Sequence, residues 1–374
     1  MILRIFDRYI GRQVGLATLT GVVVLSGVMV LGNVYKKLDQ LLGGTDLPLA
    51  FVLKFIGLVI PFSLTFTIPW AFLTSILLVF GRMSADNELV SLRMTGWSMP
   101  RICLPVFLLA AILSAVCFWV NVDVAPTAKN RMKTLFYEQA TEDPASLFQA
   151  GKVLERFPGF RIYTGKREGN HLEDLHIVRL DGLRTASTIR AKSGELVIDP
   201  GVVDFQLQLD GAVMESPDYG EDGSIRGSMF TELKSTVFVF PLSKLKEKLE
   251  RVNASMMSTD ELWTAVGAGE SNGVPVEPSL KSEFVTELNK RYSFSLACLT
   301  FALVGIPLGV TAQRRETSVG FALSLVTALV YMGFIIFGDI VSGDPGKYPQ
   351  LLMWLPNVLF LGIGSVLFYR LSRK

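Results

Sequence analysis

The chain has 374 residues, 50% of them hydrophobic and only 19% charged, with a mean hydropathy of +0.41; that is too apolar for an ordinary soluble enzyme and places the protein in a membrane. Lysine and arginine together number 36 against 34 acidic residues, a net charge of +2, so no polyanion-binding field is present and nucleic-acid binding is disfavoured. The three cysteines, Cys103, Cys117 and Cys298, all lie in apolar runs and read as packing residues, not as a disulfide framework or a metal cluster.

A bilayer core about 30 Å thick needs about 20 residues of helix. Six stretches free of Asp, Glu, Lys and Arg reach that length: Gln13 to Tyr35, Phe55 to Gly81, Ile102 to Val122, Tyr292 to Gln313, Thr317 to Gly338 and Tyr348 to Tyr369. Arg4, Arg8 and Arg12 precede the first, but its apolar run outlasts a signal core and Lys36 and Lys37 follow directly, so it reads as a retained helix. Pro61 and Pro69 each remove a helix donor, which predicts a bent, protein-facing second helix.

The loop from Arg82 to Trp97 joins the second and third spans. Leu89, Leu92 and Met94 can form an apolar stripe beneath Asp86, Glu88 and Arg93, with Gly96 as the stop of a short helix within 84–97. Two readings stay open here: a helix lying on the lipid surface, or one that docks on a cytoplasmic partner with Glu88 supplying the orienting charge.

Orientation follows from the positive charges retained in short loops. With the N-terminus inside, Arg4, Arg8, Arg12, Arg82, Arg93, Arg101, Arg314, Arg315, Arg370, Arg373 and Lys374 are inner, and the outer short loops hold only Lys36, Lys37, Lys54 and Lys347. Both termini are then cytoplasmic and the long middle segment lies on the opposite side. The expected division is 1–123 for three spans, 124–290 for the inserted domain and 291–374 for three more spans.

Between Val124 and Lys290 charges return, glycines punctuate the chain and apolar residues alternate, which predicts an all-β domain, as a sandwich, jelly roll or open barrel. Strand-like runs include Arg161 to Thr164, Leu175 to Leu180, Glu195 to Asp199, Val202 to Leu209 and Ser235 to Phe240, with turn signals at Asp181-Gly182, Asp210-Gly211 and Asp222-Gly223. Val202, Phe205, Leu207 and Leu209 share one face and Asp204, Gln206, Gln208 and Asp210 the other. An ordinary core face or a lipid-carrying groove both fit that alternation. Lys244 to Arg251 reads as an amphipathic helix, Ser258 to Val266 as a second one capped by Thr259 or Asp260, and Gly267 to Pro278 as a linker.

No phosphate-cradling G-x-x-x-x-G-K-[S/T] loop occurs, so no cofactor or nucleotide is expected on this chain. His171 and His176, the two histidines, are spaced for neither a shared helical face nor a zinc site, and no G-x-S-x-G motif is present; hydrolase chemistry is disfavoured. Lys36, Lys37 and Lys54, with Arg131 and Lys133 just beyond the third span, sit where phosphorylated lipid headgroups would lie; snorkelling at helix ends also explains such cations, and is the simpler reading for Lys54 and Lys133.

Several motifs together resemble the LptF/LptG (YjgP/YjgQ) family, the transmembrane permeases of the lipopolysaccharide export ABC transporter. They are the opening Asp7-Arg-Tyr-Ile-Gly-Arg12, the Lys36-Lys-Leu-Asp-Gln-Leu41 end of the first span, the Asn87-Glu-Leu-Val-Ser-Leu-Arg-Met-Thr-Gly96 loop and the Val124-Ala-Pro126 exit, arranged as 3+3 spans around a β domain. The resemblance covers essentially the whole chain, and the opening Asp7-to-Arg12 motif and the Lys-rich end of the first span lean toward the G-type subunit. It implies an inner-membrane half-transporter, not an enzyme, that pairs with a sister permease and a dimeric cytoplasmic ATPase using ATP and Mg. The inner loop would be the coupling helix, the first and fifth spans lateral gates, Lys36 a residue facing the lipid cavity, and the inserted domain a periplasmic β-jellyroll that hands lipopolysaccharide to a periplasmic bridge. Two other readings accompany it: a permease for another amphiphile such as a lipoprotein, and a membrane-anchored scaffold or sensor that moves no cargo.

Overall fold

The computed structural model describes residues 5–41, 49–142, 150–154, 159–181, 184–197, 205–219, 225–240, 253–271, 274–312 and 317–373. Two compact units emerge, one of Met1–Gly32, Ile56–Arg131 and Asn253–Lys374, the other of Asn33–Phe55 and Met132–Val252. The expected amphipathic segment Lys244 to Arg251 and the positions Val202 and Asp204 lie outside the described residues.

The helices are α1 (Ile5–Leu41), α2 (Leu49–Ala85), the short α3 (Glu88–Met94), α4 (Met99–Trp119), α5 (Ala125–Glu142), α6 (Thr259–Ala268), α7 (Pro278–Ser295), α8 (Ala297–Ala312), α9 (Thr317–Ile340) and α10 (Pro349–Arg373), and the first unit takes α1 up to residue 32, α2 from residue 56, α5 up to residue 131 and all of the others. α2 is apolar on all sides and is accordingly central. Its Phe72, Ile76 and Phe80 pack with Ile10 and Val14 of α1 and Ile102 and Val106 of α4. On its other side Leu73 and Leu77 join Phe294, Phe301, Tyr331 and Phe360 from α7 to α10. Helices in lipid gain association energy mainly from close packing. Gly21 of α1 provides it, since a Cβ there would come within 3.0 Å of the Ala71 Cβ, and Ser26 and Thr67 hydroxyls meet at 2.9 Å beside it.

Among the described residues five helices are long and apolar enough to cross a bilayer, or six when α7 and α8, bent by 43°, count as one span. The predicted fourth span is therefore broken. Its break follows Ser293-Phe-Ser295, where the Ser295 hydroxyl donates to the Arg291 carbonyl at 2.6 Å and that of Ser293 to the Met353 carbonyl. The buried Asn357 of α10 then donates to the Ser293 carbonyl at 2.7 Å and accepts from the Tyr331 hydroxyl at 3.1 Å, so the polar groups at the break are paired inside the bundle.

The third span also differs. A π-helical turn at Val120–Val124 carries α4 into α5, so the chain remains helical to Glu142, past residue 124 where the inserted β domain is expected to begin. Pro126 offers no N–H to the Val122 carbonyl four residues back. The wide turn absorbs that defect, and the Thr259 hydroxyl donates to the Val122 carbonyl at 2.7 Å. Ser258, not Thr259 or Asp260, caps α6: its hydroxyl accepts from the Glu261 amide at 3.2 Å while the Glu261 carboxylate accepts from the Ser258 amide at 2.8 Å. The expected linker carries a small hairpin, β7 (Glu270–Ser271) and β8 (Val274–Pro275).

The inserted sheet contains β1 (Lys152–Leu154), β2 (Phe160–Glu168), β3 (His171–Asp181), β4 (Arg184–Val197), β5 (Phe205–Tyr219) and β6 (Ile225–Phe240), antiparallel and in sequence order. Leu207 and Leu209 are buried and Gln208 and Asp210 exposed, as the alternation predicts. Asp210-Gly211 is not a turn. It lies inside β5, where Gly211 takes φ of 61° and Asp174 on β3 takes φ of 55°. Gly165, Asp174, Lys192, Gly211 and Lys234 are all skipped by the pairing registers, so one row of interruptions crosses the sheet from β2 to β6. The sheet rolls: Phe160 on β2 and Phe238 on β6 have ring centroids 5.5 Å apart, whereas strands four places apart in a flat sheet are separated by roughly 19 Å. Ile162, Leu172, Leu175, Ile177, Ile189 and Leu207 fill the inner face.

Candidate functional site

Two sites stand at opposite ends of the bundle. At the first, α2 ends and α3 crosses to α4. Asn87 enters α3 with φ of 57° and Gly96 closes it with φ of 89°, the glycine stop that the sequence predicts. Leu89 is only 4% exposed and belongs to the bundle core, and Leu92 packs partly against it. Met94 does not complete the stripe; it is 84% exposed, because 100° per residue turns it about 200° away from Leu92. Asp86 and Gly96 are exposed, and Glu88 and Arg93 are half-buried.

This short helix is tied to α1 and α4. The Tyr9 hydroxyl donates to the Glu88 carboxylate at 3.4 Å. Arg101 donates from both terminal nitrogens to the two Asp7 carboxylate oxygens at 2.9 and 2.7 Å. Trp97 packs beside this pair, its ring 6.0 Å from the Phe6 ring and 5.3 Å from the Arg101 guanidinium. Arg82 of α2 donates to the Gln13 side chain at 2.6 Å. Side-chain contacts thus join α3 to α1, and α1 to α2 and α4, at this end of the bundle, and Val90 and Met94 are exposed.

The second site is a pocket of about 280 Å³ at the other end, between α2, α5, α7 and α9. Phe62, Phe66, Phe294, Met332 and Ile336 give it an apolar wall, and Lys129, Glu287, Lys290, Arg291 and Asp339 a charged one. Lys290 bridges two helices, 2.8 Å from Glu287 on α7 and 2.9 Å from Asp339 on α9. Arg291 is held by Glu287 at 3.3 Å, the Thr259 hydroxyl at 3.0 Å and the Ala254 and Met257 carbonyls at 3.1 and 2.9 Å. The Lys129 ammonium lies 4.8 Å from the centre of the Phe62 ring. Three cations face two carboxylates, which leaves one positive charge in a largely apolar setting, suited to an anionic group on an amphiphile.

The cations singled out from sequence are placed differently. Lys36 and Lys37 have side chains outside the described residues, Lys54 on α2 and Arg131 on α5 are exposed, and Lys133 is half-buried. Sequence reading missed all five charged residues of the pocket. A signal existed: Glu287, Lys290 and Arg291 recur at helical spacing directly before the apolar run from Tyr292, and Asp339 ends the charge-free stretch from Thr317. His176 lies on the sheet with Nε2 3.2 Å from an Asp174 carboxylate oxygen. All three cysteines are buried and free, with the sulfurs of Cys117 and Cys298 3.9 Å apart.

A family model described as "Lipopolysaccharide export system permease LptF/LptG" matches residues 8–370. Among curated proteins, the lipopolysaccharide export system permease protein LptF of Escherichia coli (strain K12) is 23% identical over 379 aligned residues, which cover 97% of this chain and 94% of the relative. The protein of the same name from Shigella flexneri gives the same figures.

Proposed function

The chain belongs to the lipopolysaccharide export system permease family LptF/LptG, and on that premise we propose that it is one permease half of an ABC transporter that lifts lipopolysaccharide from the outer leaflet of the inner membrane. The alternatives, a lipoprotein permease or a scaffold that moves no cargo, find no support in the comparisons. The N-terminal motif leans toward the G-type subunit while the relatives named above are F-type, and the mechanism holds for either.

In this reading α3 is the coupling helix. Both termini are cytoplasmic, and a dimeric ATPase that uses ATP and Mg grips Asp86, Glu88, Arg93 and the bare edge of α3. Glu88 orients the docking, Leu89 and Leu92 pass the motion into the bundle, and Gly96 permits the tight return to α4. A sister permease completes the lipid cavity, with α1 and α9 as gates. Their exposed apolar residues support this role, with Val23 and Leu31 on α1 and Leu329 and Ile340 on α9. Lys36, Lys37, Lys54, Arg131 and Lys133 serve the headgroup at the periplasmic boundary. The rolled sheet receives the acyl chains, and the side of β6 that pairs with no described strand, with Met229 and Phe230 exposed, suits strand addition by a periplasmic bridge.

The observation that carries this reading is the attachment of α3: Leu89 is sunk in the bundle core while Tyr9, Asp7 and Arg101 fasten the same end of the bundle to α1. The test is transfer of lipopolysaccharide from proteoliposomes to a soluble acceptor, with the chain reconstituted beside its sister permease and the ATPase. ATP-dependent transfer is expected, and its loss when Glu88 is replaced although ATPase remains bound. Transfer with this chain omitted would contradict the assignment.

A further inference from the structure

Resting on the reading just given, we infer that the Lys290–Asp339 ion pair is a latch on the gate helix α9, and that the phosphate of a lipid headgroup opens it by taking the place of the Asp339 carboxylate beside Lys290 and Lys129. The starting point is the geometry of α9. Its middle is fixed: Tyr331 is fully buried, its ring packs 5.7 Å from Phe294 and 5.1 Å from Phe301, and its hydroxyl donates to Asn357. Asp339 lies eight residues on, about 12 Å along the helix. There α9 is joined to α7 by the Lys290 ammonium, which donates to the two Asp339 oxygens at 2.9 and 3.1 Å. At the same end Gly338 lies against Met353 and Leu352 of α10, so exchange of the ion pair releases α9 from α7 and lets this end shift along α10.

The site favours such an exchange. Asp339 keeps 45% of its side chain exposed, so the carboxylate can return to water, whereas Glu287 is 9% exposed and stays paired with Arg291. Lys129 makes no hydrogen bond or ion pair with any described residue and lies over the Phe62 ring, a weak partner compared with an anion. A phosphate placed between Lys129 and Lys290 would meet two ammonium point charges where Asp339 meets one. The apolar wall of Phe62, Phe66, Met332 and Ile336 continues from this charged end, so the anion recognised there is one that carries acyl chains. Arrival of the correct cargo would then loosen the gate that admits it.

The test uses the full complex of both permeases and the ATPase in nanodiscs, with spin labels at Lys281→Cys on α7 and Ile340→Cys on α9, both exposed positions. The probes are a bis-phosphorylated lipid A, its dephosphorylated form and inorganic phosphate alone. Phosphorylated lipid is expected to lengthen the distance, and the other two to leave it unchanged. Lys129→Gln is expected to raise the lipid concentration for half-maximal response about tenfold, as loss of one charge-assisted contact does. Asp339→Asn is expected to start at the long distance, and Asp339→Glu to regain the short one and the response to lipid. An equal response to dephosphorylated lipid would overturn the charge exchange, and a response to inorganic phosphate alone would overturn the lipid assignment. An unchanged distance while wild-type complex binds and transfers lipid would sink the latch and leave the permease reading standing; absence of any glycolipid transfer would sink that reading itself.

Discussion

Asp7 and Arg101 lie 94 positions apart in sequence and meet side by side, the carboxylate 3% exposed and gripped by both guanidinium nitrogens. The pair locks the start of α1 to the start of α4 at the end of the bundle that holds α3. Removing Arg101 would take two charge-assisted hydrogen bonds from a buried carboxylate. Arg101→Ala is therefore expected to cost about 3 kcal/mol, the lower end of the range because Arg101 itself keeps 28% exposure. Asp7→Asn, which leaves a neutral acceptor, is expected to cost less. Thermal unfolding of the purified chain in detergent measures both, and equal stability of Arg101→Ala and wild type would show that the pair carries no load.

A different outcome is expected at Glu88. Its side chain is half-buried and holds a single long hydrogen bond from Tyr9, so Glu88→Ala should change stability by no more than about 0.5 kcal/mol. Lipid release per ATP hydrolysed should fall on the order of tenfold, a typical coupling free energy. The check pairs a melting curve with a transfer assay on the same preparation.

Much of this architecture was legible in the sequence. The charge-free stretches located the apolar helices, the Asn87-to-Gly96 segment gave a short helix with its glycine stop, and the period-two pattern at Gln206 to Asp210 gave the buried face of β5. What escaped were features that depend on tertiary partners. Charge-rich residues after Val124 read as the start of a β domain, yet the helix continues because Thr259, far along the chain, supplies the donor that Pro126 lacks. The span from Tyr292 looked continuous because Asn357, which pairs the polar groups at its break, lies on another helix. The pocket was missed for a similar reason: Lys129, Lys290 and Asp339 are each ordinary helix-end charges until three helices bring them together.

Asn357 offers the sharpest test of the broken span. It is 2% exposed and joins the Ser293 carbonyl and hydroxyl with the Tyr331 hydroxyl. Asn357→Leu removes these partners together and should destabilise by about 1–3 kcal/mol for each buried group left unpaired. Asn357→Gln, which keeps the amide, should lose less if the longer side chain is accommodated. The readout is unfolding temperature of the purified protein, and a Leu variant as stable as wild type would show that the break needs no polar support.

The rolled sheet makes its own prediction. Leu207 is fully buried in the inner face, whereas Met229 on β6 is 67% exposed. Leu207→Ala should cost about 2–5 kcal/mol and speed proteolysis of the inserted domain in the full chain. Met229→Ser should stay within about 0.5 kcal/mol. Reversed sensitivities would mean that the opposite face of the sheet is the core.

The central claim is that work done at α3 moves the gate side of the bundle. The most direct measurement places spin labels at Leu31→Cys on α1 and Ile340→Cys on α9, both exposed, in the complete complex with ATPase, and traps the hydrolytic state with ATP and vanadate. A shift of several ångströms on trapping is expected in the otherwise unaltered complex and its loss in Glu88→Ala with ATPase still bound. The same shift in both, or no shift in a complex that continues to release lipid, would contradict the account.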